Sequence, residues 1–124
     1  MELQVRTRIV EGVVLVEVAG ELEIYTAPQL QEQLEAQLNQ GTKTLIVSLA
    51  QVEFIDSTGL AVLNAARVRL RDQGGKLVLV CNKERVIRPF EISGLHRLFV
   101  LFPTIEAAVA TVKEGKEVTD GPSS

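Results

Sequence analysis

The chain has 124 residues, 46% of them hydrophobic and 23% charged, with a net charge of −3 and a pI near 5.2. That length suits one domain with a single core, and the composition excludes a disordered chain. No apolar run nears the roughly 20 residues of a membrane span, and the acidic balance, with no Trp among a few scattered aromatics, excludes a general nucleic-acid binder.

The N-terminal stretch "MELQVRTRIVEG" carries no basic segment followed by an apolar one, and a lone cysteine, Cys81, cannot form an internal disulfide. Both features predict a cytoplasmic protein. Leu3 to Val10 alternates apolar and polar residues, Glu11-Gly12 signals a turn, and Val13 to Val18 is β-branched. The pattern predicts a hairpin whose second strand is the more buried. Gly20 to Tyr25 reads as a loop. Thr26 is an N-cap candidate with Gln29 as its capping-box partner, and Pro28 suits a first turn. Leu30, Leu34 and Leu38 then recur every four residues and predict the buried stripe of a helix ended by Asn39-Gln40-Gly41.

Leu45 to Leu49 is a short apolar run, the pattern of a strand covered on both faces. After Asp56-Ser57-Thr58-Gly59 a helix is predicted over Leu60 to Asp72, stopped by Gly74-Gly75. Arg67, Arg69 and Arg71 form its basic run and read as a solvated helix face. Lys76 to Cys81 is another buried strand. Asn82 is a candidate cap for a third helix through Phe90, with Val86, Ile87 and Phe90 inward and Pro89 expected to kink it or end it early. Ile92-Ser93-Gly94-Leu95 reads as a turn and Phe99 to Phe102 as a last strand. Pro103-Thr104 opens a closing helix carrying Ile105, Ala108, Val109 and Val112. The domain is expected to span residues 1–114, and "GKEVTDGPSS" to form a loose tail over 115–124. The resulting order, β-β-α-β-α-β-α-β-α, predicts an α/β fold with a mainly parallel sheet of about five strands, one antiparallel edge strand and four helices.

Sites in such sheets gather where strands lead into helices, and Ser57 falls there. Three readings of this serine stand side by side. Asp56, Ser57 or Thr58 can simply cap the following helix. Ser57 can be a nucleophile, although Ile55-Asp56-Ser57-Thr58-Gly59 lacks the first glycine of the G-x-S-x-G elbow and the chain offers a single histidine, His96, as base. Or it can be a phosphoacceptor, since a phosphate adds a charge of about −1.5 to −2 at a helix N-terminus whose free N–H groups accept it while a docked partner does not. One Cys and one His give no metal cluster, and no phosphate-binding glycine loop is present, so neither metal nor cofactor is expected.

"FIDSTGLAVL" resembles the phosphorylation-site motif, D-S-[ST]-G-L after a buried strand, of the STAS-domain anti-sigma factor antagonists. The resemblance runs over about residues 3 to 114, through "GELEIYTAP" (20–28), "GGKLVLV" (74–80) and "ISGLHRLFVLFPTIEAAV" (92–109). It implies a STAS fold and a partner-switching role without catalysis. The unphosphorylated antagonist binds an anti-sigma factor serine kinase and frees the sigma factor; that kinase uses ATP to phosphorylate it, and a PP2C-type phosphatase restores it. Carried over, Ser57 is the phosphoacceptor. Glu21, Glu23, Tyr25, Asp56, Thr58, Gly59, Leu60, Ser93 and Gly94 then shape its loop or border the docking surface. Glu23 stands where the family has Asp, and Leu60-Ala61 replaces its common Leu-Gly. A STAS subunit of a transporter or sensory complex, with Ser57 as a cap alone, is the alternative. The free chain is expected to be monomeric.

Overall fold

The computed structural model describes residues 2–115. Its elements are β1 (Leu3–Val10), β2 (Val13–Leu22), α1 (Ala27–Asn39), β3 (Thr44–Ile55), α2 (Ser57–Asp72), β4 (Lys76–Val80), α3 (Glu84–Ser93), β5 (Leu101–Phe102) and α4 (Ile105–Lys113), with a 3₁₀ turn at Leu95–Arg97. The expected element order is thus observed. The expected tail lies, beyond Gly115, outside the described residues.

One five-stranded sheet runs in the order β1-β2-β3-β4-β5; β1 pairs antiparallel with β2 and every later pair is parallel. Because each parallel strand is added beside the one before it, right-handed crossovers send α1, α2 and α3 to the same face. There Leu45, Val47 and Leu49 of β3 meet Leu30, Leu34 and Leu38, Leu63 and Leu70, and Val86 and Phe90 in one core. Each of these side chains contributes about 1.5–3 kcal/mol by burial. The last helix, α4, covers the other face, where Ala108 and Val109 pack on Leu15, Ile46, Val78 and Val80.

Several local expectations are corrected. The loop expected over Gly20 to Tyr25 starts later, at Glu23: β2 continues to Leu22, pairing with β3 as far as Leu22↔Ile55 across two register shifts. Gly20 makes this possible. Its φ is +110°, and a Cβ there would lie 2.4 Å from the Glu2 carbonyl oxygen, so the bulge needs a residue without a side chain. Thr26 and Gln29 form no capping box. Gln29 Nε2 donates instead to the Leu3 carbonyl, 2.8 Å away, and ties α1 to β1.

The third helix begins with Lys83 rather than Asn82 at its cap position, and it runs through Pro89 to Ser93. A proline in a helix interior costs about 3 kcal/mol. Complete burial of Val86 and Phe90, the latter edge-on to Phe99 with ring centres 5.6 Å apart, offsets it. Phe99 belongs to this core and not to the last strand, which is limited to two residues. Arg67 is not on a solvated face either. It is 5% exposed, bonded to Asn64 Oδ1 and held 5.7 Å above the Phe99 ring, where its charge keeps polar and π partners.

Candidate functional site

The corner where β3 passes into α2 is built around Asp56. Its backbone is extended, and its Oδ1 accepts from Gly59 N–H at 3.0 Å, so of the three cap candidates Asp56 is the N-cap. Its other oxygen, Oδ2, accepts from Ile24 N–H at 3.0 Å, and its own N–H donates to the Leu22 carbonyl at 3.1 Å. One residue therefore fastens α2 to the loop between β2 and α1. Gly59 lets the two approach so closely: a Cβ there would lie 2.8 Å from Leu22 Cγ and 2.9 Å from Ile55 Cγ1. Leu60 is buried behind it.

The β2–α1 loop is held from within. Glu23 Oε1 accepts from the N–H groups of Tyr25 (2.8 Å) and Thr26 (3.0 Å). Thr26 Oγ1 accepts from Glu23 N–H at 3.0 Å and donates to the Glu21 carbonyl at 2.6 Å. The Glu23 carboxylate thus folds back onto its own turn, and the methylene it has beyond an aspartate is absorbed in that local ring. This turn drives the apolar side chains outward: Tyr25 is 86% exposed and Ile24 58%, and Phe54 on β3, opposite Glu21, is half-exposed.

Ser57, the first residue of α2, is exposed, with Thr58 half-buried beside it. The helix leaves the first amides, those of Ser57 and Thr58, without an intrahelical acceptor. Among the described residues no base is hydrogen-bonded to the Ser57 hydroxyl. His96 lies in the 3₁₀ turn after α3, with Nδ1 3.3 Å from the Phe90 carbonyl oxygen. The geometry offers an accessible hydroxyl at a helix start, not an activated nucleophile. Cys81 is buried, and burial pushes its thiol up from the ordinary value.

Of the sequence-predicted residues, Glu21, Glu23, Tyr25, Asp56, Ser57, Thr58, Gly59 and Leu60 come together at this corner. Ser93 and Gly94 do not join it: they close the carboxyl end of α3, where Ser93 Oγ donates to the Phe90 carbonyl and Gly94 is the cap residue. Sequence reasoning missed Ile24 and Phe54, whose exposure follows from the tight turn and from the strand register. It also missed Glu53, which pairs with Lys83 (2.8 Å) and Arg85 across the rim. The hydrogen bond from Lys83, with the Arg85 charge, holds the Glu53 carboxyl below its ordinary value.

Residues 4–108 match the family model of the STAS domain. The chain is 36% identical to the anti-sigma-B factor antagonist of Bacillus subtilis (strain 168) over 109 residues, 88% of this chain and 99% of that protein. It is 35% identical to the anti-sigma-B factor antagonist of Staphylococcus aureus (strain NCTC 8325 / PS 47), over 79% of this chain and 91% of that one. Among solved structures, an anti-sigma factor antagonist from Mycobacterium paratuberculosis superimposes with a TM-score of 0.84 at 30% identity, covering 90% of this chain and 95% of that chain. With both the domain match and full-length relatives in hand, the chain belongs to the STAS-domain family, in the group of the anti-sigma factor antagonists.

Proposed function

We propose that this chain is an anti-sigma factor antagonist of the bacterial cytoplasm, switched by phosphorylation of Ser57. Unmodified, it binds an anti-sigma factor that is itself a serine kinase, and so frees the sigma factor. The kinase moves the γ-phosphoryl group of ATP to Ser57 Oγ; ADP leaves with the broken bridging oxygen, and the hydroxyl proton passes to a base of the kinase. A PP2C-type phosphatase returns the group to water as phosphate.

The observation that carries this reading is the exposed Ser57 hydroxyl at the first position of α2, on a corner whose folding rests on Asp56, Glu23 and Gly59 instead. Adding a phosphate there breaks none of these bonds. The exposed Ile24, Tyr25 and Phe54 supply apolar area for a partner. A partner seated on them must desolvate the added charge of about −1.5 to −2, next to Asp56. The domain tolerates the anion and the complex does not.

Incubation with the cognate anti-sigma factor kinase and ATP should add one phosphate to the intact chain by mass spectrometry, and none to Ser57→Ala. Modification of the Ala variant would refute the assignment. Ser57→Asp should bind the kinase more weakly than wild type in calorimetry, and wild type not binding it at all would refute the antagonist reading itself.

A further inference from the structure

The face of the sheet that carries α4 is only partly covered by it. The helix sits on the row Leu15, Ile46 and Val78, which are paired in register across β2, β3 and β4. The next row toward the carboxyl ends of the parallel strands is Arg6, Glu17 and Ser48, and the one after it is Gln4, Ala19 and Gln51. Together with Ala50 and with Ile105 at the start of α4, these two rows line a cavity of about 160 Å³, room for roughly five water molecules. The small side chains of Ala19 and Ala50 leave that space open.

Polar groups in such a place need partners. Ser48 is 3% exposed. A bulge in β3 shifts the register between Glu17↔Ser48 and Ala19↔Gln51, so Ala50 has no partner on β2, and Ser48 Oγ accepts its N–H at 3.3 Å. The serine proton itself has no acceptor among the described residues, although the side chain lines the cavity. The side chains of Arg6, Gln4 and Gln51 also form no hydrogen bond or ion pair among the described residues. Glu17 is already engaged: its carboxylate accepts from Arg8 Nε at 2.9 Å and Nη2 at 3.4 Å, and Arg8 stands in the row of Leu15. The Arg8 hydrogen bond is the main cause that holds the Glu17 carboxyl below its ordinary value, and the Arg6 charge is the smallest. Arg6, Arg8 and Glu17 thus leave one positive charge over, and Arg6 carries it.

The cavity therefore offers a guanidinium fork, a buried hydroxyl proton and two side-chain amides around a single uncompensated charge. A carboxylate matches the planar fork. Neighbouring strands lie about 4.8 Å apart, so the backbones of Arg6 and Ser48 are separated by roughly 10 Å, a span that the long arginine side chain shortens. A second carboxylate is disfavoured, because Glu17 borders the cavity and among the described residues no second unpaired cation does. We propose that this cavity binds a small monocarboxylate bearing a second, neutral acceptor oxygen, the chemistry of short oxo and hydroxy acids. The carboxylate sits on Arg6, the neutral oxygen accepts from the Ser48 hydroxyl, and Gln4 and Gln51 close the sides. The site lies on the opposite face of the sheet from α1, α2 and α3 and does not rest on the role of Ser57.

The test is titration of the isotope-labelled whole chain with sodium pyruvate, followed by amide chemical shifts. Saturable shifts should appear at Ser48, Ala50 and Gln51. Arg6→Gln should weaken binding about tenfold, and, because Arg6 is exposed, its melting curve should match wild type. Propionate, which lacks the oxo oxygen, should bind wild type about fivefold more weakly than pyruvate; Ser48→Ala should bind the two acids alike. If Ser48→Ala fails to fold, because the Ala50 amide loses its acceptor, the comparison of the two acids on wild type still reads the hydroxyl. No saturable shift up to about 10 mM, wild-type affinity in Arg6→Gln, or an equal response to sodium chloride or to neutral methyl pyruvate would overturn the proposal. So would propionate binding as tightly as pyruvate, or shifts confined to the Ser57 corner.

Discussion

Asp56 holds the candidate site together by two separable bonds, and this can be measured. Asp56→Ala removes the cap on Gly59 N–H and the acceptor for Ile24 N–H, both at 3.0 Å. The cap contributes about 1 kcal/mol, within a range of roughly 0.5–2. The second bond, to an amide on an exposed loop, adds about 1 kcal/mol after competition with water. A loss of about 2 kcal/mol in a domain of this size lowers Tm by roughly 6–10 °C. Asp56→Asn separates the two terms. Its remaining carbonyl oxygen can still cap Gly59, while its NH₂ group cannot accept from Ile24, so about half the loss is expected. Urea unfolding followed by circular dichroism gives the energies, and amide exchange at Ile24 and Gly59 assigns them. The reasoning is refuted if Asp56→Ala stays within about 0.5 kcal/mol of wild type, or if Asp56→Asn exposes the Gly59 amide as fully as Ala does.

Gly59→Ala should destabilise the fold by about 1–2 kcal/mol, because overpacking against the buried Leu22 and Ile55 outweighs the better helix propensity of alanine; a stabilised variant in urea unfolding would show that α2 can move away. Cys81, 3% exposed with its thiol pushed up by burial, should resist a thiol-directed disulfide reagent at pH 8 in the native protein and react fully in denaturant; rapid native labelling would refute its placement.

The fold could be read from the sequence wherever a pattern is local. Leu30, Leu34 and Leu38 announce a helix and are buried, and Thr104 caps α4 by accepting from Ala107 N–H. The Ser57 junction was legible because four small polar residues interrupt two apolar runs. What escaped depends on distant partners. The extension of β2 to Leu22 exists because β3 runs on to Ile55 beside it, although Gly20 and the charged residues after it read locally as a loop. Gln29 looks like a capping residue until β1 places the Leu3 carbonyl within its reach. Arg67 looks solvated until Phe99, from a segment 32 positions later, closes over it. Proline at position 89 reads as a helix end, and only the burial of Phe90 outweighs that preference.

The corner also accounts for how one added anion could act on a complex and spare the fold. Two carboxylates already stand there, and each is satisfied by backbone amides: Asp56 by Gly59 and Ile24, Glu23 by Tyr25 and Thr26. Their charge is compensated inside the turn, so neither needs a cation from elsewhere. A phosphate on Ser57 enters at the positive end of α2, where the dipole offsets about 0.3–1 kcal/mol of its repulsion from Asp56, and water supplies the remainder because the serine is exposed. A partner lying over Ile24, Tyr25 and Phe54 removes that water. Leaving a buried charge uncompensated costs about 3–5 kcal/mol, and each 1.4 kcal/mol is a factor of ten in affinity. Even half of that cost would weaken the complex by more than about tenfold, while the unbound domain, in which no hydrogen bond among the described residues involves the serine hydroxyl, would keep its structure.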